Sequence, residues 1–133
     1  MQATQLNDQA LTLSDQGNYA GAEHLHQQAL QTTLDAVGES NTTTAFTRNA
    51  LGELYLKMGR LDEAKDQLER AIVVRTTLGN ALDAAVSVEN LARVYEAQGD
   101  LTAALDTRLA YDPSNMVCGN YDVGIFSSTS SIY

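Results

Sequence analysis

Apolar residues recur at helical spacing on both sides of Gly59. Before it stand Phe46, Ala50, Leu51, Leu54, Tyr55 and Met58; after it stand Leu61, Ala64, Leu68, Ala71, Ile72 and Leu78. Steps of three and four residues place each set on one stripe of an amphipathic helix. The glycine between them costs a helix interior about 1 kcal/mol relative to alanine. It also ends a helix in the left-handed conformation with no side-chain penalty. The stretch "LGELYLKMGRLDEA" therefore predicts two helices folded back on each other. Asp62 and Glu63 fall in the first turn of the second helix, where the macrodipole favours acids. Asp66 and Arg70, four apart, suit an ion pair on the solvent face.

The same pattern occurs three times. Gly17, Gly59 and Gly99 are separated by 42 and 40 residues. Each is followed by a polar or basic residue (Asn18, Arg60, Asp100), a large apolar residue (Tyr19, Leu61, Leu101) and then an alanine (Ala22, Ala64, Ala104). The second and third are preceded by Leu51-Gly52 with Tyr55, and by Leu91-Ala92 with Tyr95. Gly52 and Ala92 are expected to face the region of Ala64 and Ala104, so that the paired helices approach closely, with Leu51, Tyr55 and Leu68 filling the space beside them. A hairpin of this kind has apolar surface that it cannot bury alone, so neighbouring units must stack. The predicted helices run from Ala3 to Gln16, Tyr19 to Val37, Thr43 to Met58, Leu61 to Leu78, Leu82 to Gln98, and from Leu101 for about three turns. Gly38 and Gly79 are expected stops, and "ESNTTT" supplies caps for the third helix.

The periodicity breaks in the sixth helix. By register, Arg108 and Tyr111 stand where Leu68 and Ala71 stood, and Pro113 ends any helix soon afterwards. Asp112 to Tyr133 is rich in glycine and serine and reads as an irregular tail, in which "DVGIF" has the composition of a short strand. With no final capping helix visible, the array is expected to be incomplete: a fragment, a truncated paralogue, or a product whose last exon reads into unrelated sequence.

These residues resemble a tetratricopeptide repeat array. The family pattern of Leu-Gly, tyrosine and post-turn alanine is carried by Leu51, Gly52, Tyr55, Gly59, Ala64 and Ala71, and again by Leu91, Ala92, Tyr95, Gly99 and Ala104. The first unit keeps Ala10, Leu13, Gly17, Ala22 and Ala29 but lacks the tyrosine. The family unit is about 34 residues; the longer spacing here suits helices extended by about a turn, and "LERAIVVRTTLGNALDAAVSVENLARVY" is similar to the long repeats of kinesin light chains. The resemblance, over roughly residues 3 to 104, implies an all-α fold: a right-handed superhelical stack of antiparallel helix pairs, or α-solenoid. It would hold about two and a half to three repeats, at about 3–38, 43–79 and 82–111, ahead of the tail at 112–133.

Composition narrows the partners. The 133 residues are 44% hydrophobic, enough for a core, and carry a net charge of −9 from 8 basic and 17 acidic residues. Such acidity argues against nucleic acid or an anionic membrane and favours basic or neutral partners. Cys118 is the one cysteine, so the chain forms no internal disulfide. No run approaches the roughly 18 to 20 apolar residues of a membrane span. "MQATQLNDQALTL" lacks the basic and apolar regions of a secretory signal, so the expected location is cytoplasmic.

No catalytic constellation is visible. His24 and His26, two apart, point to different helix faces, one toward solvent and one toward packing, and make no metal pair. Cys118 has no activating base beside it, and "GNYDVG" lacks the lysine and spacing of a phosphate loop. The expectation is a protein that is not an enzyme, with no cofactor, metal or small-molecule substrate.

The resemblance implies that the first helix of each unit lines a concave groove, and that residues just before the Leu-small pair project into it. In this chain these are Asn7 with Asp8, Asn49, and Glu89 with Asn90. Asparagine both donates to and accepts from a peptide amide, which suits an extended ligand of variable side chains. One turn on, Glu53, Lys57, Arg93 and Glu96 are candidates for setting charge preference. Among so many acids, Lys57, Arg48 and Arg93 are too few for the carboxylate clamp of chaperone-binding repeats. The expected function is a non-enzymatic module binding a peptide or partner protein. The alternative is a regulatory repeat segment of a larger NTPase-linked signalling protein.

Overall fold

The three repeat glycines make one turn three times. In the computed structural model, which describes residues 2–111, Gly17, Gly59 and Gly99 have φ of 85°, 77° and 83°. The amide after each reaches back to the same carbonyl of its unit: Asn18 to Leu13 at 2.8 Å, Arg60 to Tyr55 at 2.9 Å and Asp100 to Tyr95 at 2.9 Å. That bond satisfies a carbonyl left over at the helix end. The expected tail at 112–133, its "DVGIF" stretch and Cys118 lie outside the described residues.

Six helices make up the described chain: α1 (Gln2–Asp15), α2 (Tyr19–Val37), α3 (Thr42–Met58), α4 (Leu61–Thr77), α5 (Ala81–Ala97) and α6 (Leu101–Ala110). Asn18, Asn41, Asn80 and Asp100 cap α2, α3, α5 and α6 by accepting from amides of the first turn. The helix α4 stops before Gly79 as expected, but without a left-handed residue: the amides of Leu78 and Gly79 close onto the Val74 and Arg75 carbonyls with Leu78 still right-handed. Leu78 then falls past the helix and is exposed rather than part of the stripe.

The hairpins α1–α2, α3–α4 and α5–α6 stack through α2–α3 and α4–α5, and α1, α3 and α5 neighbour one another along one face. Small residues permit this spacing. Ala3, Ala10, Ala22, Ala29, Ala45, Ala64, Ala71 and Ala92 are wholly buried. The close approach at Gly52 is to Leu68 rather than to Ala64: a Cβ added to Gly52 would lie 2.5 Å from Leu68 Cγ. Leu68 is fully buried over the glycine, and burying such a side chain contributes about 1.5–3 kcal/mol. The main apolar cluster (Leu51, Tyr55, Ala64, Leu68, Ile72, Val88, Leu91, Val94) joins the second hairpin to the third.

The Tyr55 hydroxyl ties the first unit to the second by donating to Glu23 at 2.9 Å, with the Arg60 guanidinium 4.5 Å above its ring. Arg60 also reaches Glu23 at 2.8 Å. The Asp66–Arg70 pair forms at 3.2 Å.

Two residues depart from the apolar stripe. Phe46 is 45% exposed, because α3 buries Thr44, Ala45 and Thr47 against its neighbours and leaves position 46 on the open face. In α6, Thr107 and Ala110 are buried while Arg108 swings back to Glu89 and Glu96 at 2.8 and 2.9 Å. No helix of the described residues is long and apolar enough to cross a membrane.

Candidate functional site

A buried polar ladder runs from unit to unit. Asn7 and Asn49 stand at the same place in successive units, ten residues before their turn glycines; Thr47 and Ser87 likewise stand twelve before theirs. The Asn7 amide donates to Thr47 Oγ1 at 3.0 Å, and one repeat later the Ser87 hydroxyl donates to Asn49 Oδ1 at 2.8 Å. Such bonds leave no polar atom orphaned between stacked helices, which would otherwise cost about 1–3 kcal/mol each. No buried side-chain polar atom among the described residues lacks a partner.

His26 completes the first rung. It is 1% exposed and occupies the register position that Leu68 fills in the next unit. Asn7 gives its amide to Thr47, so its carbonyl oxygen accepts from His26 Nδ1 at 2.9 Å, which fixes the neutral tautomer with the proton on Nδ1. Burial, outweighing the pull of Glu53, lowers the imidazole pKa to about 4. His24 is exposed on the same helix.

Above the ladder, two open hollows adjoin along α3 and α5. The first, about 560 Å³, is walled by α1, α3 and α5 with Arg75 of α4; the second, about 580 Å³, lies between α3 and α5. Glu53 and Val86 belong to both. Phe46, Leu82 and Val86 present exposed apolar surface there, at helical steps from Asn49, Glu53, Glu89 and Arg93.

Of the expected groove residues, Asn7, Asp8, Asn49 and Glu53 line the first hollow, and Glu53, Lys57, Glu89, Asn90 and Arg93 the second. Their roles divide by burial. Asn7, Asn49 and Asn90 are at most 6% exposed and their amides are committed within the protein. Asn49 and Asn90 both donate to Glu53 Oε1, at 3.1 and 2.9 Å, which fixes that carboxylate at the junction of the hollows. Lys57 is exposed, 3.5 Å from Ser14 Oγ, and Arg93 pairs with Glu89 at 3.5 Å. Glu96 lines neither hollow and is bound to Arg108, which holds its carboxyl below the usual range. Arg48 is buried away from them, against Glu39 and Gln67.

Sequence reasoning missed Arg75, Thr47 and Ser87. Arg75 is 6% exposed, with Nη1 donating to the Asp83 carbonyl and to Ser87 Oγ at 3.0 Å each. Burial lowers its pKa while Asp83 and Glu53 pull it back. Nothing in its local sequence distinguishes it from a solvent-facing arginine. Thr47 and Ser87 carried a usable signal, their identical offset from the turn glycine. Among the described residues, no three His, Cys, Asp or Glu side chains gather as metal ligands.

Two tetratricopeptide repeat family models match the chain, at residues 1–76 and 85–108. No curated protein matches. Among solved structures, the fold is similar to that of BtubC (BKLC) from P. vanneervenii, with a TM-score of 0.81 and 27% identity over 90% of this chain. The match spans 49% of BtubC, so this chain corresponds to about half of that protein. Repeats of this family are in general protein-interaction modules, and their fold is typically a non-enzymatic scaffold. With a family model covering more than half its length, and with long repeats like those of kinesin light chains, the chain belongs to the tetratricopeptide repeat family.

Proposed function

We propose that this protein is a binding module whose α1–α3–α5 face takes an extended segment of a partner protein. The carrying observation is the pair of adjoining hollows, which share Glu53 and Val86 and expose Phe46 and Leu82 on an otherwise polar surface. Large apolar side chains left open beside polar groups mark interaction sites on soluble proteins. The buried ladder beneath gives the face a rigid floor, so little ordering free energy is lost on binding. Asn7, Asn49 and Asn90 act as that floor, and Asn49 and Asn90 also position Glu53. Glu53, Lys57, Glu89 and Arg93 meet the ligand.

Panning a library of short random peptides against the full chain tests this. Recovered peptides are expected to bind the wild type and to weaken at least about tenfold with Val86→Gln, a change of about 1.4 kcal/mol. Val86 is half-exposed, so the variant keeps its helicity by circular dichroism. Peptides that bind the variant equally well would place binding elsewhere and overturn the proposal.

A further inference from the structure

The first hollow brings three carboxylates, Asp8, Glu53 and Asp83, beside exposed Phe46 and Val86. None of the three has an ion-pair partner among the described residues. The one cation there is Arg75, deep in the wall, with Nη1 held by the Asp83 carbonyl and Ser87. Three acids against one cation leave the hollow anionic.

The other basic residues of the described chain are engaged elsewhere. Of its eight basic residues, Arg48, Arg60, Arg70, Arg93 and Arg108 are paired with Glu39, Glu23 and Glu63, Asp66, and Glu89 with Glu96. Lys65 lies over the Tyr95 ring, 5.5 Å from its centre. Lys57 lines the second hollow near Ser14. Residues 112–133 contain no lysine or arginine at all, and two aspartates. Apart from Arg75 in its wall, none of these basic residues lines the hollow that holds Asp8, Glu53 and Asp83.

We infer that the groove takes a cationic amphipathic peptide: a segment that places lysine or arginine against Asp8, Glu53 and Asp83 and apolar side chains against Phe46, Val86 and Leu82. This rests on the peptide-groove reading above. Complementary charge adds selectivity and faster association, and acidic segments are rejected by like-charge juxtaposition. Glu53, already oriented by two asparagine amides, is the best-ordered anchor for the incoming cation. In the second hollow Glu53 and Glu89 are matched by Lys57 and Arg93, so apolar contact dominates there.

The test uses three pools of synthetic random peptides with identical apolar content. Their charged positions are filled with Lys/Arg, with Asp/Glu, or with Ser/Gln. Binding to the full chain is read by fluorescence anisotropy at low and at high salt. The cationic pool is expected to bind at least about tenfold tighter than the acidic pool, and to lose that advantage in high salt. It is also expected to lose it in the variant Glu53→Gln, Asp83→Asn, which keeps the Oε1 acceptor for Asn49 and Asn90. If the neutral or acidic pool binds as well as the cationic one, and Val86→Gln abolishes that binding, the groove stands and the charge inference falls. If no pool binds, or Val86→Gln changes nothing, the groove reading falls and takes this inference with it.

Discussion

Acid should loosen this protein before its carboxylates titrate, and His26 is the cause. An unperturbed imidazole titrates at 6.5; in the fold, burial lowers that of His26 to about 4. The unfolded chain therefore takes up a proton that the folded chain resists. Stability is full above pH 6.5, falls as the pH drops through that value, and levels off below about 4. The whole window is worth about 3 kcal/mol at 1.36 kcal/mol per unit, and about 2 kcal/mol of it is lost between about pH 7.5 and 5. That is a large share of the 5–15 kcal/mol typical of a domain. Glu63, Glu89 and Glu96 are held below the usual carboxylate value by Arg60 and Arg108, so their contribution disappears only below about pH 4.5 and leaves this interval clear. Urea unfolding followed by helical circular dichroism should show a midpoint lower by about 1–2 M near pH 5 than near pH 7.5. His26→Asn supplies a donor that does not titrate where Nδ1 stood, and keeps His24. Its midpoint is expected to start lower and to stay nearly constant across the two pH values. A wild type indifferent to this change, or a variant that falls just as far, refutes the assignment.

Two further predictions concern the stacking. Gly52→Ala drives a methyl into Leu68, and overpacking of this kind costs about 1–3 kcal/mol despite alanine's better helix propensity. Combined with Leu68→Ala, the two losses should add to clearly less than their sum in a double-mutant cycle, and strict additivity would show that the residues do not touch. Asn49→Ala removes the acceptor for Ser87 and Asn90 and one of the donors to Glu53, for a cost of about 2 kcal/mol in urea unfolding; a loss below about 0.5 kcal/mol, typical of a surface site, would contradict the ladder.

Local chemistry decided most of the fold. The stripes about Gly59, the three turn glycines and the asparagine caps place the helices to within a residue or two, because helix spacing, left-handed glycine and capping act over a few positions. The positions that line the hollows came from the family resemblance, which implies that the residues just before the Leu-small pair of each unit share one face.

Tertiary structure decided what those side chains touch. The resemblance implies the asparagines as ligand contacts; stacking α1, α3 and α5 buries them, commits their amides within the protein and leaves Glu53, Phe46 and Val86 lining the hollows. Arg75 becomes a wall residue only because the α4–α5 turn brings Asp83 and Ser87 over it. Leu68 rather than Ala64 meets Gly52, because the phase of one helix against another is set by packing across both. Periodicity along the chain tells which face of a helix turns inward. The neighbour it meets there comes from residues about forty positions away, and only the folded stack brings the two together.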